Sequence, residues 1–329
     1  MDLTAKIFGA LLAVLTGVLG AMLVFWLLNK LVEMLPSKWE TRVKPYAFLL
    51  PAVAAIGTFL IYPAVTTIYA SLLNDDSTVF VGLKNYIHLF GDDTFLSALI
   101  NNLLWIVIVP ATVVAFGLLI AMLADRLGAT KEKLAKSVIF LPMAISLVGA
   151  STIWRFIYAY MPDKNHQIGL MNGIVVALGG EPQAWLQMTT LRFNTLLLMV
   201  AYIWTQVGYA MVLLSAAIKS VPEDTIEAGR IDGASEVAVF FRIIVPQAWP
   251  TVITVFITVL IGVMKVFDIV YAMTNGNFDT DVIGNAFFNA MYFSADRGTA
   301  SAIVVILMIA IVPIMVYQVR QFRAQEQNG

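Results

Sequence analysis

Residues 94–124, TFLSALINNLLWIVIVPATVVAFGLLIAMLA, carry no charged side chain. Coiled as one helix at 1.5 Å per residue, such a run reaches roughly 45 Å, longer than the ~30 Å hydrocarbon core of a bilayer. Helix is the conformation it must take in lipid, because every backbone N–H and C=O has to find its partner inside the segment. Similar uncharged or nearly uncharged stretches lie at 7–29, 45–74, 137–154, 193–218, 243–264 and 298–319. The expected fold is therefore all-α and polytopic, with about seven transmembrane helices.

Composition agrees with that reading. The chain has 329 residues, 60% hydrophobic and 12% charged, against a charged share of about 25% in soluble domains. No soluble domain fits between the spans, since every connection is short and the longest cytoplasmic one covers only residues 219–250. There is no cysteine, which excludes disulfides, thiol catalysis and cysteine metal sites. His88 and His166 stand far apart without carboxylates at metal-binding spacing, so no metal site is expected. Nothing in the charge pattern points to nucleic acid.

Basic residues orient the spans. Lys30, Lys38, Arg42 and Lys44 share one loop, Arg126, Lys131, Lys133 and Lys136 a second, Lys219, Arg230 and Arg242 a third, and Arg320 and Arg323 the tail. Those alternate segments should face the cytoplasm. The intervening segments hold Lys6, Lys84, Lys164, Arg192 and Arg297, and Asp75, Asp76, Asp92, Asp93, Asp279 and Asp281 make two of those loops acidic. Seven spans then put the N-terminus outside and the C-terminus in the cytoplasm. Lys6 ahead of an apolar run has the layout of a signal peptide, but the run is too long and Leu35-Pro36-Ser37 is not a small-residue cleavage site. Residues 1–44 therefore read as an N-terminal transmembrane helix with a cytoplasmic linker, and 45–329 as the membrane domain proper.

Outside the spans, Asp93 or Thr94 is placed to cap the helix that follows. Gly179-Gly180-Glu181-Pro182 gives the connection 161–190 the turn chemistry of a short hairpin. No internal repeat at a fixed period is visible, which counts against transporters built from repeated halves.

The segment 219–250 predicts two short helices outside the membrane, at about 220–245. Ser220 and Glu223 have capping-box spacing, and Pro222 falls in the first turn, where its missing N–H is harmless. Asp232-Gly233 ends that helix, because glycine enters the left-handed region without a Cβ clash. Ser235 starts the second, and Pro246 marks the next span. The protrusion carries Ala228, Gly229, Gly233 and Ala234 beside Glu227, Arg230 and Asp232. On composition, a plain polar connector and a docking element fit it equally well.

In order and spacing, Glu227-Ala228, Asp232-Gly233-Ala234, Phe241, Ile244, Pro246 and Pro250 resemble the EAA motif of bacterial ABC importer permeases, with Gly229 where a second alanine is usual. Phe140-Leu141-Pro142, residues 81–86 (VGLKNY), 266–276 and 298–302 resemble the carbohydrate-uptake branch, which includes the maltose- and glycerol-phosphate-type permeases. Residues 265–278 look most like the α-glucoside-type members. The resemblance covers about 45–323 and implies a six-helix importer core plus one extra N-terminal helix. It also implies a permease subunit rather than an enzyme, paired with a second permease and with two copies of a cytoplasmic ATPase. An external solute-binding protein would deliver the cargo. Glu227, Ala228, Gly229, Arg230, Asp232, Gly233 and Ala234 would then form the ATPase-coupling surface. No G-x-x-x-x-G-K-[ST] sequence is present, so ATP and Mg belong to the partner and this chain is expected to bind no cofactor.

For the solute path, Tyr202, Thr205, Gln206 and Tyr209 follow i, i+3, i+4, i+7 spacing on one helix face. Aromatic rings and amides suit a sugar, and the aligned positions of the maltose-type permeases contact theirs. Ordinary interfacial aromatics are the plainer reading. Val259, Val263 and Val266 depart from the polar residues which those relatives use. Lys265 and Asp268, three apart, are expected to form a structural charge pair on one face, with Lys265 also a solute contact. Arg155, behind Trp154 at the end of its span, is expected to snorkel. Two rivals remain: a secondary sugar symporter using Lys265 and Asp268 as a proton relay, and a membrane-embedded transferase. Neither accounts for the order of residues 227–250.

Overall fold

A computed structural model describes residues 3–328, and nearly all of them are helical or in short turns between helices. The chain divides into two compact units, residues 1–69 and 70–329.

The first unit holds α1 (Leu3–Glu33) and α2 (Ser37–Ile56), then a π-helical turn at Gly57–Ile61 and α3 (Tyr62–Ala70), which ends at the boundary. From Ser37 to Ala70 the backbone runs as one apolar span, although Pro45, Pro51 and Pro63 interrupt its hydrogen bonding. Wide-turn adjustments such as the one at Gly57–Ile61 let a lipid-embedded helix absorb prolines. Phe25 of α1 stacks on Phe48 of α2, with centroids 6.0 Å apart and planes within 9°.

The second unit continues with α4 (Lys84–Gly91), α5 (Asp93–Asp125), α6 (Ala129–Phe140), α7 (Leu147–Ile157), α8 (Leu170–Ala177), α9 (Phe193–Lys219), α10 (Glu223–Ile231) and α11 (Glu236–Val239). It closes with α12 (Val245–Met264), α13 (Asp268–Met273), α14 (Ile283–Phe288) and α15 (Arg297–Asn328). Its core is the three-way packing of α5, α9 and α12, where Trp105, Val109, Val113, Leu198, Met211, Leu214, Val255 and Val263 are buried. Lipid tails are as apolar as these side chains, so close van der Waals fit rather than escape from water holds such helices together. Gly117 supplies that fit: a Cβ there would lie 2.8 Å from the Cβ of Ala210.

Every expected span has a helical counterpart, but the fourth is not straight. The helix through Ala144 and the helix from Leu147 meet at 102°. Pro142 sits in a 3₁₀ turn at Leu141–Ala144, Ile145 is extended, and Ser146 starts α7 afresh by accepting a hydrogen bond from Gly149 N at 3.1 Å. Gly208 lets α9 lie against this corner, since a Cβ there would come within 2.5 Å of Ile139 O.

At the end of the unit opposite α10, side-chain amides hold the connections. Asn85 Nδ2 donates to Ser71 O (2.9 Å) and Leu73 O (2.7 Å). Asn172, fully buried, donates to Ala159 O and Gln183 O and accepts from Gln183 N. Two local expectations change here. Asp92, not Asp93 or Thr94, caps α5, through Thr94 N at 3.0 Å. Gly179-Gly180 does not make a hairpin turn; it terminates α8, with Gly179 at φ +86° and Gly180 N bonded back to Val175 O.

Candidate functional site

The protruding segment after α9 is rigid by local chemistry. Its helix α10 opens with Pro222 at the N-cap and no side-chain cap; Ser220 Oγ instead bonds back to Ala217 O at 2.8 Å. The capping box expected from Ser220 and Glu223 is therefore absent, because the serine closes the preceding helix. Glu223 and Asp224 still complement the positive end of α10 from its first turn. The other end follows expectation. Gly233 takes φ +84°, Gly233 N bonds to Arg230 O and Ala234 N to Gly229 O, both at 3.0 Å. That pair of bonds is a Schellman cap, which satisfies carbonyls a helix end would leave open.

Ser235 caps the next helix through Ala238 N at 3.3 Å. This helix is not a separate short element. It runs from Glu236 to Met264 as one span, passing Pro246 by way of a π-helical turn at Phe240–Ile244. The segment after α10 is thus continuous with a membrane helix. Arg230 grips the base of that helix with a forked ion pair, Nε to Glu236 Oε1 at 2.8 Å and an outer nitrogen to Oε2 at 3.2 Å. Behind α10, Lys219 joins Glu132 (2.6 Å) and Asp125 (3.2 Å), while Lys136 bonds both Glu132 (2.5 Å) and Ser215. These links tie α5, α6 and α9 together where the protrusion begins.

The expected coupling residues divide by exposure. Glu227, Ala228, Arg230, Asp232 and Gly233 are exposed, whereas Gly229 and Ala234 are half-buried. Gly229 faces its own chain: a Cβ there would come within 2.4 Å of Ile243 Cδ1, so the small residue lets α10 lie close to the span beside it. Sequence reasoning passed over Ile231, which is 85% exposed at the end of α10; Val237 and Phe241 on the following helix are exposed as well. An isoleucine inside an otherwise polar helix was the available signal, since scattered apolar groups become informative only when they cluster.

The expected solute face is only partly open. Tyr202 (5% exposed) lies edge-on to Trp105 at 5.8 Å, and Thr205 (2%) donates to Tyr202 O at 2.7 Å. Both belong to the core of the unit. Gln206 and Tyr209 are half-buried, and Gln206 Nε2 reaches Thr205 Oγ1 at 3.3 Å. The structural pair expected between Lys265 and Asp268 does not form. Helix α12 ends at Met264, Phe267 is non-helical at φ −145°, and Asp268 begins a new helix. Spacing of three places two residues on one face only while the helix continues; here both side chains are exposed and make no ion pair with each other. Arg155 does not simply snorkel, because one guanidinium nitrogen donates to Ala272 O at 3.3 Å.

Residues 113–324 match the family described as binding-protein-dependent transport system inner membrane component. The alpha-glucoside transport system permease protein AglF of Rhizobium meliloti is 45% identical, with 98% of this chain and 99% of that protein covered. The osmoprotective compounds uptake permease protein GgtC of a Synechocystis strain is 46% identical, covering 85% of this chain and 99% of its own. Among solved structures, a bacterial ABC transporter involved in the import of the acidic polysaccharide alginate has a chain of the same fold. That chain superposes with a TM-score of 0.74 at 20% identity, over 87% of this chain and 99% of its own.

Proposed function

Because the chain belongs to the family of inner membrane components of binding-protein-dependent transport systems, we propose that α10 docks on a separate ATPase and that the membrane helices form part of a carbohydrate path. The chain is a multi-pass permease subunit of an ABC importer and not an enzyme. Glu227, Ala228, Arg230, Asp232 and Gly233 form the docking surface in this reading, with Ile231 as its apolar centre, while Gly229 and Ala234 set the pose of α10 from behind. The observation that carries the reading is an exposed helix closed by a Schellman cap and clamped to the base of a span by Arg230 and Glu236. A push on such a helix has little slack to take up before it reaches the membrane.

Two cytoplasmic ATPases, a second permease and an external solute-binding protein complete the assembly, with ATP and Mg held by the ATPases. The α10 end and the C-terminus face the cytoplasm, the N-terminus faces outside, residues 1–44 act as an accessory helix, and 45–329 form the transport domain. Support for a carbohydrate or glycoside cargo comes from the alpha-glucoside relative at 45% identity over nearly the whole chain. Gln206 and Tyr209 are the path residues best placed to meet it, with exposed Lys265 beyond them; Tyr202 and Thr205 shape the path from within the core.

Glu227→Lys and Gly233→Asp test the docking. Both variants are expected to reach the membrane in normal amount and to lose ATP-dependent uptake; normal uptake in both would remove the assignment. A secondary symporter would instead stop on addition of an uncoupler while ATP is still present.

A further inference from the structure

A second concave feature lies at the end opposite α10. It is a cleft of about 540 Å³ between the end of α7, the turn at Trp185–Gln187 and the loop after α13. Sites for small molecules commonly fall between about 300 and 1,000 Å³.

Its rim is held in an unfavourable conformation. Phe278 takes φ +59°, a left-handed conformation that bulky side chains seldom enter, while Asn275 at 52° and the neighbouring Asp279 at 58° are residue types that tolerate it better. Such strain persists only where the surroundings over-determine it, and it concentrates at ligand clamps. Here the surroundings do so from below. Asn194 Nδ2 donates to Phe278 O at 2.6 Å, and Asn101 Nδ2 donates to Asp279 O and Asp281 O at 2.7 Å each. Both asparagines are buried, and the hydroxyls of Thr274 and Thr280 bond at 2.6 Å beneath the same loop. The cleft is therefore built before anything binds to it.

The lining specifies the ligand class. Tyr160, Trp185 and Tyr271 supply ring faces, and Gln187, Asn275 and Asn277 supply amides. Tyr271 is backed by Phe267 at 5.1 Å and Phe288 at 5.1 Å, which fixes its ring. Trp185 Nε1 is buried and has no acceptor among the described residues. Arg155, the charged group of the lining, is engaged with Ala272 O. Rings plus amides, with the exposed Arg155 as a further donor, suit a molecule that has both apolar C–H faces and many hydroxyls.

We propose that this cleft binds a glycoside directly on the permease, as a holding site at the mouth of the path; the inference rests on the carbohydrate reading given above. The test uses the full-length chain in lipid nanodiscs, without ATPase or binding protein, and maltose, trehalose and sucrose as probes followed by saturation-transfer NMR. At least one probe is expected to bind saturably. The double variant Gln187→Ala/Asn275→Gly should weaken binding on the order of tenfold, the loss that missing amide hydrogen bonds produce. Glycine at 275 keeps the left-handed backbone, and Tyr160→Leu, at an exposed position, gives a second variant with the same expected direction.

Several results would overturn the site. Binding retained in the cleft variants but lost in Gln206→Ala would move it to the membrane path. Cleft variants that keep sugar binding in nanodiscs but, in the assembled transporter, no longer capture the binding protein would make the cleft a protein-docking surface. Binding of none of the three probes, in a chain whose cells still import labelled disaccharide, would remove the cleft and leave the carbohydrate reading standing. Cells that import none of the three would remove both.

Discussion

The two ends of the second unit are fastened by different chemistry. Near α10 the links are charged and largely at the surface: Lys219 with Asp125 and Glu132, and Arg230 with Glu236. Opposite it there are surface pairs too, Lys164 with Glu181 and His166 with Asp163, but the buried links are amides that donate to backbone carbonyls, from Asn101, Asn172 and Asn194. An exposed ion pair is screened and exchanges readily with water. A buried amide whose partners are backbone carbonyls has nothing to exchange with, so breaking it strands polar groups in a dry interior. The α10 end is thus fastened by contacts that can be remade, and the other end by contacts that hold its shape.

Asn101→Ala strikes hardest at that contrast. It leaves Asp279 O and Asp281 O without their donor and takes from Arg192 its 2.6 Å acceptor, with Ser97 Oγ remaining at 3.1 Å. At roughly 1–3 kcal/mol for each stranded group, we expect a loss of about 3 kcal/mol, read as a lower melting temperature of the purified chain. An unchanged melting temperature would show that this end is not rigid by its amides. Gly233→Ala comes next, because alanine at φ +84° costs about 1 kcal/mol in the cap of α10. Its expected signature is reduced uptake together with faster hydrogen exchange at Gly233 and Ala234, the two N–H groups of the cap. Arg230→Ala should leave the melting temperature within error while lowering uptake; a clear drop in melting temperature would make the clamp a stability element instead.

The smallest effect concerns pH. Burial pushes the Asp281 carboxyl above its usual range, against hydrogen bonds from Asn285 and Val282 N that act the other way. A carboxyl raised in the folded state contributes stability that is complete below its unfolded value, near 4, and is lost as pH rises through the folded value. Asp281→Asn should therefore flatten the dependence of melting temperature on pH in that acidic window. A steeper dependence in the variant would contradict the assignment.

What the sequence made legible follows the same division. Uncharged runs long enough to cross a bilayer located the spans, and Gly233 and Ser235 announced their caps because those conformations demand those residue types. The 102° corner at residues 144–147 was hidden, since a proline in a membrane helix is compatible with a straight run, a kink or a break, and packing against Gly208 decides among them. Lys265 and Asp268 were paired on the assumption of a continuous helix, which ends between them. Tyr202 and Thr205 shared a face with Gln206 and Tyr209 as spacing required, but spacing does not say whether a face meets a lumen or the packed core of α5, α9 and α12. The buried asparagines did leave a trace: Asn101-Asn102 inside an otherwise apolar run is costly in lipid unless partnered, and the partners lie some 180 residues onward in the loop before α14.

Because the chain contains no cysteine, a single introduced thiol reports one position without background. Ala228→Cys on α10 and Gln187→Cys at the opposite end, each labelled with a maleimide that carries a photoactivated benzophenone and then irradiated in membranes of cells expressing the whole transporter, separate the two ends most directly. Ala228→Cys is expected to join this chain to an ATPase subunit and Gln187→Cys not to. An ATPase adduct from Gln187→Cys, or none from Ala228→Cys when the intact complex is present, would contradict the account.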